Sequence, residues 1–198
     1  VFTTGILQRG RDGKLVEEGN GYQVDRSQRI RLGSADPDFT MGWRHDINYK
    51  NISLGLMITG RFGGIVTSQT QAFMDAFGVS KVSAEARDNG GVMLDGHRYD
   101  AERYYNTVGG QGLMSYYTYD ATNVRLQELS LTYSLPKKWL GDVFNNATIS
   151  FVGRNLFMFY RKAPFDPDMN GSTGTYNRSD FFMAPSLRNL GFSIKFSL

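Results

Sequence analysis

The sequence predicts an all-β chain that contributes about five or six antiparallel strands to a large transmembrane barrel. Three observations predict it. Five stretches alternate apolar and polar residues at a period of two, and each is close to the roughly 9–11 residues that a tilted membrane strand needs. The links between them alternate short and long, the rhythm of barrels with short turns on one side and long loops on the other. Finally, the chain has no run of about 18 apolar residues, so strands rather than a helix are the predicted means of crossing a bilayer.

Composition agrees. In 198 residues, aromatics reach 14%, with eleven Tyr and fourteen Phe, which suits strands and the aromatic girdles at membrane interfaces. Hydrophobic residues make up 40%, a low share for a buried core but natural where every second position faces water. There are no cysteines, so disulfide scaffolds, thiol catalysis and cysteine-based zinc sites are excluded. Net charge is +3 with scattered Lys and Arg, and no basic footprint for nucleic acid is present. The chain opens on Val1-Phe2-Thr3-Thr4 with no signal-peptide pattern, which predicts a mature exported chain or a fragment.

A short strand is expected in residues 1–9, and the Gly-, Asp- and Arg-rich stretch 10–37 is expected to be a loop ended by Asp36-Pro37-Asp38, since Pro disfavours a helical residue before it. The strand over 38–50 carries Phe39, Met41, Trp43, His45, Ile47 and Tyr49 on one face. A tight turn at Tyr49-Lys50-Asn51 leads to the strand over 52–62, with Ile52, Leu54, Leu56 and Ile58 on one face. Residues 63–123 read as a long polar loop with one helix over 68–77, stopped by Gly78. In the strand over 124–135, Leu129, Leu131, Tyr133 and Leu135 share a face while Val124 and Leu126 have the other parity, which predicts a bulge near Gln127-Glu128. After a short link comes the strand over 147–160, whose end, Leu156 to Tyr160, is apolar on both faces. A second long loop, 161–187, precedes a last strand over 188–198.

Every backbone polar group in lipid needs a partner, so only closed barrels of about eight or more strands span as sheets. Five or six strands leave two open edges, and the chain is therefore expected to be the C-terminal piece of a larger barrel. The short/long rhythm puts the loops 10–37, 63–123 and 161–187 outside the cell and the C-terminus in the periplasm. A soluble β-sandwich that binds carbohydrate is the competing reading. A secreted hydrolase is disfavoured, because no nucleophile–base set is found.

Several motifs carry a resemblance. Gly33-Ser34-Ala35-Asp36-Pro37-Asp38-Phe39-Thr40-Met41-Gly42-Trp43 looks like the G-x-x-x-P-x-F-x-x-G segment of SusC/RagA-type TonB-dependent transporters. Residues 121–136, with Val124-Arg125-Leu126 and Leu129-Ser130-Leu131, resemble that family's A-x-x-V-R-L-x-x-L-S-L-x-Y-x-L-P strand. Gly153-Arg154-Asn155-Leu156 is similar to its G-x-N-L strand, and Asp166-Pro167-Asp168 to the D-P-[ED] that follows. The likeness runs in order from Ile30 to Leu198.

The resemblance implies a barrel of the 22-stranded plugged type in the outer membrane of Bacteroidetes-type bacteria. It implies import of glycan oligosaccharides or peptides and no bond-making chemistry. It also implies partners: the remainder of the barrel with its plug, the TonB complex reached through an N-terminal part outside this chain, a SusD-like lipoprotein lid, and membrane lipid. Gly191, Ile194, Phe196 and Leu198 resemble the C-terminal signal read by the barrel-assembly machinery.

Among candidate contact residues, Arg87, Asp88, Tyr104, Tyr105, Tyr116 and Tyr117 lie in the long stretch 63–123 and could meet substrate or lid; loop packing is the plainer role. Asp166, Asp168 and Asn170 stand at positions 1, 3 and 5 of a calcium-loop pattern with Gly171 at 6, but position 12 is Asn177 rather than Glu. Turn chemistry explains Asp-Pro-Asp better than paired catalytic carboxylates do. His45, alone on an apolar strand face, reads as structural.

Overall fold

The computed structural model describes residues 2–140, 144–168 and 179–197. In chain order the elements are β1 (Phe2–Leu7), β2 (Glu17–Glu18), β3 (Gly21–Tyr22), β4 (Val24–Arg31), β5 (Phe39–Tyr49), β6 (Ile52–Phe62), β7 (Ile65–Ser68), α1 (Gln69–Ala76), α2 (Lys81–Asp88), β8 (Val92–Leu94), β9 (His97–Tyr99), α3 (Ala101–Gly110), β10 (Thr118–Asp120), β11 (Asn123–Ser134), β12 (Asn146–Arg161), β13 (Ser179–Asp180) and β14 (Asn189–Ser197). They sort into two compact units, a sheet unit within 37–63, 121–168 and 185–198 and a mixed unit within 1–36, 64–120 and 169–184.

The sheet unit is a five-stranded antiparallel meander in the order β14-β12-β11-β6-β5. The strands of 11, 11, 12, 16 and 9 residues stand where 38–50, 52–62, 124–135, 147–160 and 188–198 are predicted. β5 and β6 close on Lys50 and Asn51, with Tyr49 paired to Ile52 and Lys50 in the left-handed region at φ 50°. That turn and the link from β11 to β12 leave one end of the sheet; the connections into β5, from β6 to β11, and from β12 to β14 leave the other.

The mixed unit corrects two expectations. Residues 10–37 are not one loop: β4 pairs antiparallel with β1, Leu7 opposite Val24, and β2 pairs with β3. Alternation misses β4 because Val24-Asp25-Arg26-Ser27-Gln28-Arg29-Ile30-Arg31 is mostly polar, and backbone pairing rather than side-chain burial defines it. Residues 63–123 are likewise not a loop with a single helix. They hold three helices, each opened by a capping side chain: Ser68 accepts from Gln71 N, Ser80 from Ser83 N and Asp100 from Arg103 N. Each closes on a glycine at positive φ (Gly78, Gly90, Gly112) with the paired backbone bonds of the Schellman motif, as in Gly78 N to Asp75 O and Val79 N to Met74 O.

Leu7, Leu15, Tyr22, Ala72, Tyr99, Tyr104, Val108, Leu113 and Tyr117 form the core of this unit. Two backbone N–H groups find side-chain partners within it. The Tyr99 hydroxyl accepts from Leu15 N at 3.1 Å, and Thr107 Oγ1 accepts from Tyr22 N at 3.0 Å. Gly109 sets the approach of α1 to α3, because a Cβ there would lie 2.2 Å from the Ala72 carbonyl oxygen. Backbone cannot yield as a flexible side chain can. We expect Gly109→Val to separate the helices and destabilise this unit by about 1–3 kcal/mol, seen as faster amide exchange in α1 and α3.

Candidate functional site

The sheet has two chemically opposite faces, and the register across all five strands makes them. One row reads Ile47, Leu54, Leu131, Phe151, Phe192; the next on that face reads Tyr49, Ile52, Tyr133, Ile149, Ile194. The intervening row, on the other face, is Asn48, Ser53, Thr132, Ser150, Ser193. Successive residues of a strand point to opposite sides, so the alternation in each strand adds up to one apolar and one polar surface. The apolar face is bare: Leu131 is 47% exposed, Phe151 43% and Phe192 76%. A soluble sandwich would cover this face with a second sheet; among the described residues no second sheet lies on it.

Aromatic rings concentrate toward the two ends of the apolar face. Phe39 stacks on Phe62 at 4.6 Å at one end, while Tyr49 and Tyr133 stand at the other. His45 shares this face in the row His45, Leu56, Leu129, Gly153, Leu190 and stacks on Trp43 at 5.5 Å. On the polar face, Arg44 pairs with Asp46 and Arg154 with Glu128, both at 2.9 Å, and Thr132 bonds Ser150 at 2.9 Å.

The pairing of β11 skips between Leu126 and Glu128 toward both neighbours. Gln127 is the extra residue of a bulge, which keeps Leu126 and Leu129 on one face despite their odd spacing. Opposite it, β12 carries Asn155 and Leu156, and a second shift isolates Phe159. These irregularities explain why 156–160 reads as apolar on both faces: Phe157 and Tyr160 pair with Leu126 and Val124 on the apolar side, while Met158 pairs with Arg125.

Arg125 is the centre of a buried polar cluster at the end of the sheet from which the long connections leave. It is only 5% exposed. Its Nη2 meets Asp166 Oδ1 at 2.7 Å and Asp168 Oδ2 at 2.6 Å, its Nη1 donates to Asn155 Oδ1 at 3.1 Å, and its Nε to Asn123 Oδ1 at 3.4 Å. Arg61 stands 3.8 Å from Asp168. Asp166 also accepts from Ser186, both backbone N and Oγ, and from Asp168 N. Asn155, at φ 53°, donates to the Leu187 carbonyl; asparagine tolerates that left-handed backbone better than most side chains. Burial by itself raises the Asp166 carboxyl, but the bonds from Ser186 and Arg125 outweigh it and hold its pKa below the ordinary value. Asp168 is raised instead, by burial and by the neighbouring Asp166 against the pull of Arg125.

Neither Arg125 nor Asn155 is among the candidate site residues that the sequence offers. Their signal was the order of three motifs, which the fold gathers into one cluster. Both carboxylates of Asp166-Pro167-Asp168 are engaged by a guanidinium, which leaves neither as a free acid–base pair. Asn170 lies outside the described residues. Among the described residues, no three His, Cys, Asp or Glu side chains are placed to hold a metal.

The candidate contact residues divide. Tyr104 and Tyr117, 6% and 3% exposed, belong to the core, which corrects their reading as surface contacts; burial pushes both phenols well above the ordinary range. Arg87 and Tyr105 line a cleft of about 270 Å³ with Asp75, Phe77 and Glu102, and Arg87 Nη1 donates to Gly78 O at 2.7 Å. Asp88 is exposed, as is Tyr116 at 43%. Phe73, not among the sequence candidates, lies within 6.0–6.4 Å of Phe77, Phe181 and Phe182 in an exposed aromatic patch, its signal being the helical i, i+4 spacing of Phe73 and Phe77. Gly191, Ile194 and Phe196 lie on β14, exposed throughout, and Leu198 lies outside the described residues.

No protein-family model matches the chain. Among curated proteins, it is 29% identical over 188 residues to TonB-dependent receptor P3 of Formosa agariphila, covering 90% of this chain and 18% of that protein. To TonB-dependent receptor P26 of the same organism it is 26% identical over 156 residues, covering 77% of this chain and 15% of that protein. The chain thus spans less than a fifth of the length of these relatives. In fold it is similar to a chain of the RagAB peptide importer in its "open-open" state (TM-score 0.64, 15% identity, 100% of this chain and 22% of that one). The "closed-closed" state gives TM-score 0.62 at 16% identity, covering 98% of this chain and 21% of that one.

Proposed function

We propose that this chain is the C-terminal wall of a SusC/RagA-type outer-membrane importer, with its apolar sheet face against lipid and its polar face toward the lumen. The observation that carries the reading is the two-faced sheet: rows of bare aliphatic and aromatic side chains on one side, hydroxyls and ion pairs on the other. The similarity to TonB-dependent receptors over most of the chain supports it. The outer edges of β5 and β14, unpaired among the described residues, would be completed by the remaining strands of the same protein, since an open edge is not tolerated in hydrocarbon.

On this reading the chain carries out no catalysis. Energy comes from TonB through a plug that belongs to the rest of the receptor. The long connections lie outside the cell, where a SusD-like lipoprotein closes over the barrel, and the cargo is an oligosaccharide or a peptide. The full-length protein is expected in the detergent-extracted outer-membrane fraction, running at different apparent mass in boiled and unboiled gels. Recovery as a detergent-free soluble monomer would refute the reading. Competition of labelled uptake by oligosaccharides or by peptides, abolished on loss of TonB, identifies the cargo class.

A further inference from the structure

We propose that Arg188, held over the ring of Phe157 on the apolar side of the sheet, binds the headgroup phosphate of a membrane lipid. The inference rests on the importer reading, which sets that side against lipid. Arg188 stands one position before β14 and two before Leu190 of the apolar row. Successive strand residues alternate sides, so it shares the parity of Leu190, Phe192 and Ile194. Its guanidinium carbon lies 5.8 Å from the centre of the Phe157 ring, within the range of a cation–π contact. Phe157 itself pairs with Leu126 in the apolar rows. A cation therefore stands on the apolar side, at the end of the sheet from which the long connections leave.

Three features define the occupant. The charge is uncommitted: none of the ion pairs among the described residues uses Arg188. Asp166 and Asp168 are held by Arg125, and Glu128 by Arg154. The surroundings are apolar, with Leu187, Leu190, Phe157, Phe159 and Tyr160 all exposed. The arginine is also placed in advance. Just before it, the Leu187 carbonyl accepts from Asn155 and Ser186 donates to Asp166, so little backbone freedom is lost on binding. A cation amid exposed hydrocarbon fits a molecule that carries both an anion and acyl chains. The planar guanidinium fork matches phosphate oxygens. Its stem lies along apolar surface while its head reaches the headgroup level, which exposed aromatic rings mark in barrels. A free phosphate would use the charge and leave the apolar surround uncovered. At the other end of the sheet Lys50 stands 5.3 Å over the Tyr49 ring, a point charge without the fork.

The test uses the full-length protein in detergent micelles with two photoactivatable probes of identical chains, phosphatidic acid and diacylglycerol. Each carries a diazirine near the glycerol end of one acyl chain, and labelled peptides are identified by mass spectrometry. Phosphatidic acid should label wild type around Phe157 and residues 187–190 about fivefold more than diacylglycerol does, the weight of one cation near an anionic surface. Arg188→Gln should remove that preference, Arg188→Lys should keep part of it, and Lys50→Gln should leave it unchanged. Excess inorganic phosphate should not displace the lipid; full displacement would assign the site to a free anion and overturn the proposal. Unboiled gels report whether the barrel is folded. Should Arg188→Gln fail to fold, Phe157→Leu removes the ring beneath the guanidinium and should lower the preference about two- to threefold. Equal phosphatidic-acid labelling of wild type and the folded variant would overturn the phosphate site. Diacylglycerol labelling of Phe151 and Phe192 reports separately on the importer reading. If that labelling persists without any Arg188 effect, only the phosphate site is refuted; if the whole apolar face stays unlabelled, the importer reading is.

Discussion

Arg125→Met should destabilise the folded full-length protein by about 3–5 kcal/mol, the usual cost of removing one partner from a buried ion pair. Methionine fills much of the same volume, so the loss is electrostatic rather than a cavity. Asp166, 8% exposed, would keep its charge with only Ser186 and the Asp168 amide to stabilise it. Adding Asp166→Asn and Asp168→Asn should recover most of the loss, because the uncompensated charges are then gone. Urea unfolding in lipid vesicles, followed by the boiled/unboiled gel shift, measures both variants. A single variant within about 0.5 kcal/mol of wild type would mean that the cluster is already open in solution.

Leu129→Arg is the second large effect. Leu129 lies in the row His45, Leu56, Leu129, Gly153, Leu190, near the middle of the strands. If that row sits at the bilayer midplane, an arginine there costs about 2–4 kcal/mol. Ser193→Arg, two strands away on the polar face, should be nearly neutral because its side chain meets water. The same folding assay in vesicles compares the two. Equal costs on the two faces would contradict the assignment of lipid and lumen sides.

Much of the sheet was legible in the sequence because a period of two, repeated over strand-length stretches, survives whatever the strands pair with. Even the bulge could be read: Val124 and Leu126 are out of phase with Leu129, and only an extra residue reconciles them. The mixed unit was far less legible. β4 is polar and defined by backbone pairing, and the stretch 63–123 looked loop-like because its glycines were read as composition. Three of them, ten or twelve residues after Ser68, Ser80 and Asp100, are helix stops. The tyrosines were ambiguous for a different reason. A phenol suits a surface and a core equally well, and only the packing of α1 and α3 placed Tyr104 and Tyr117 inside while leaving Tyr116 out.

By itself the sequence determined the five strands of the sheet, their two faces and the likeness to outer-membrane transporters, because alternation and motif order are properties of the chain read along its length. The tertiary structure alone decided that Arg125, Asn155 and Asp166-Pro167-Asp168, up to 43 residues apart, converge on one buried cluster. Charges so distant along the chain acquire a shared meaning only when strand register and a folded-back connection bring them within hydrogen-bond reach and exclude the water that would otherwise screen them.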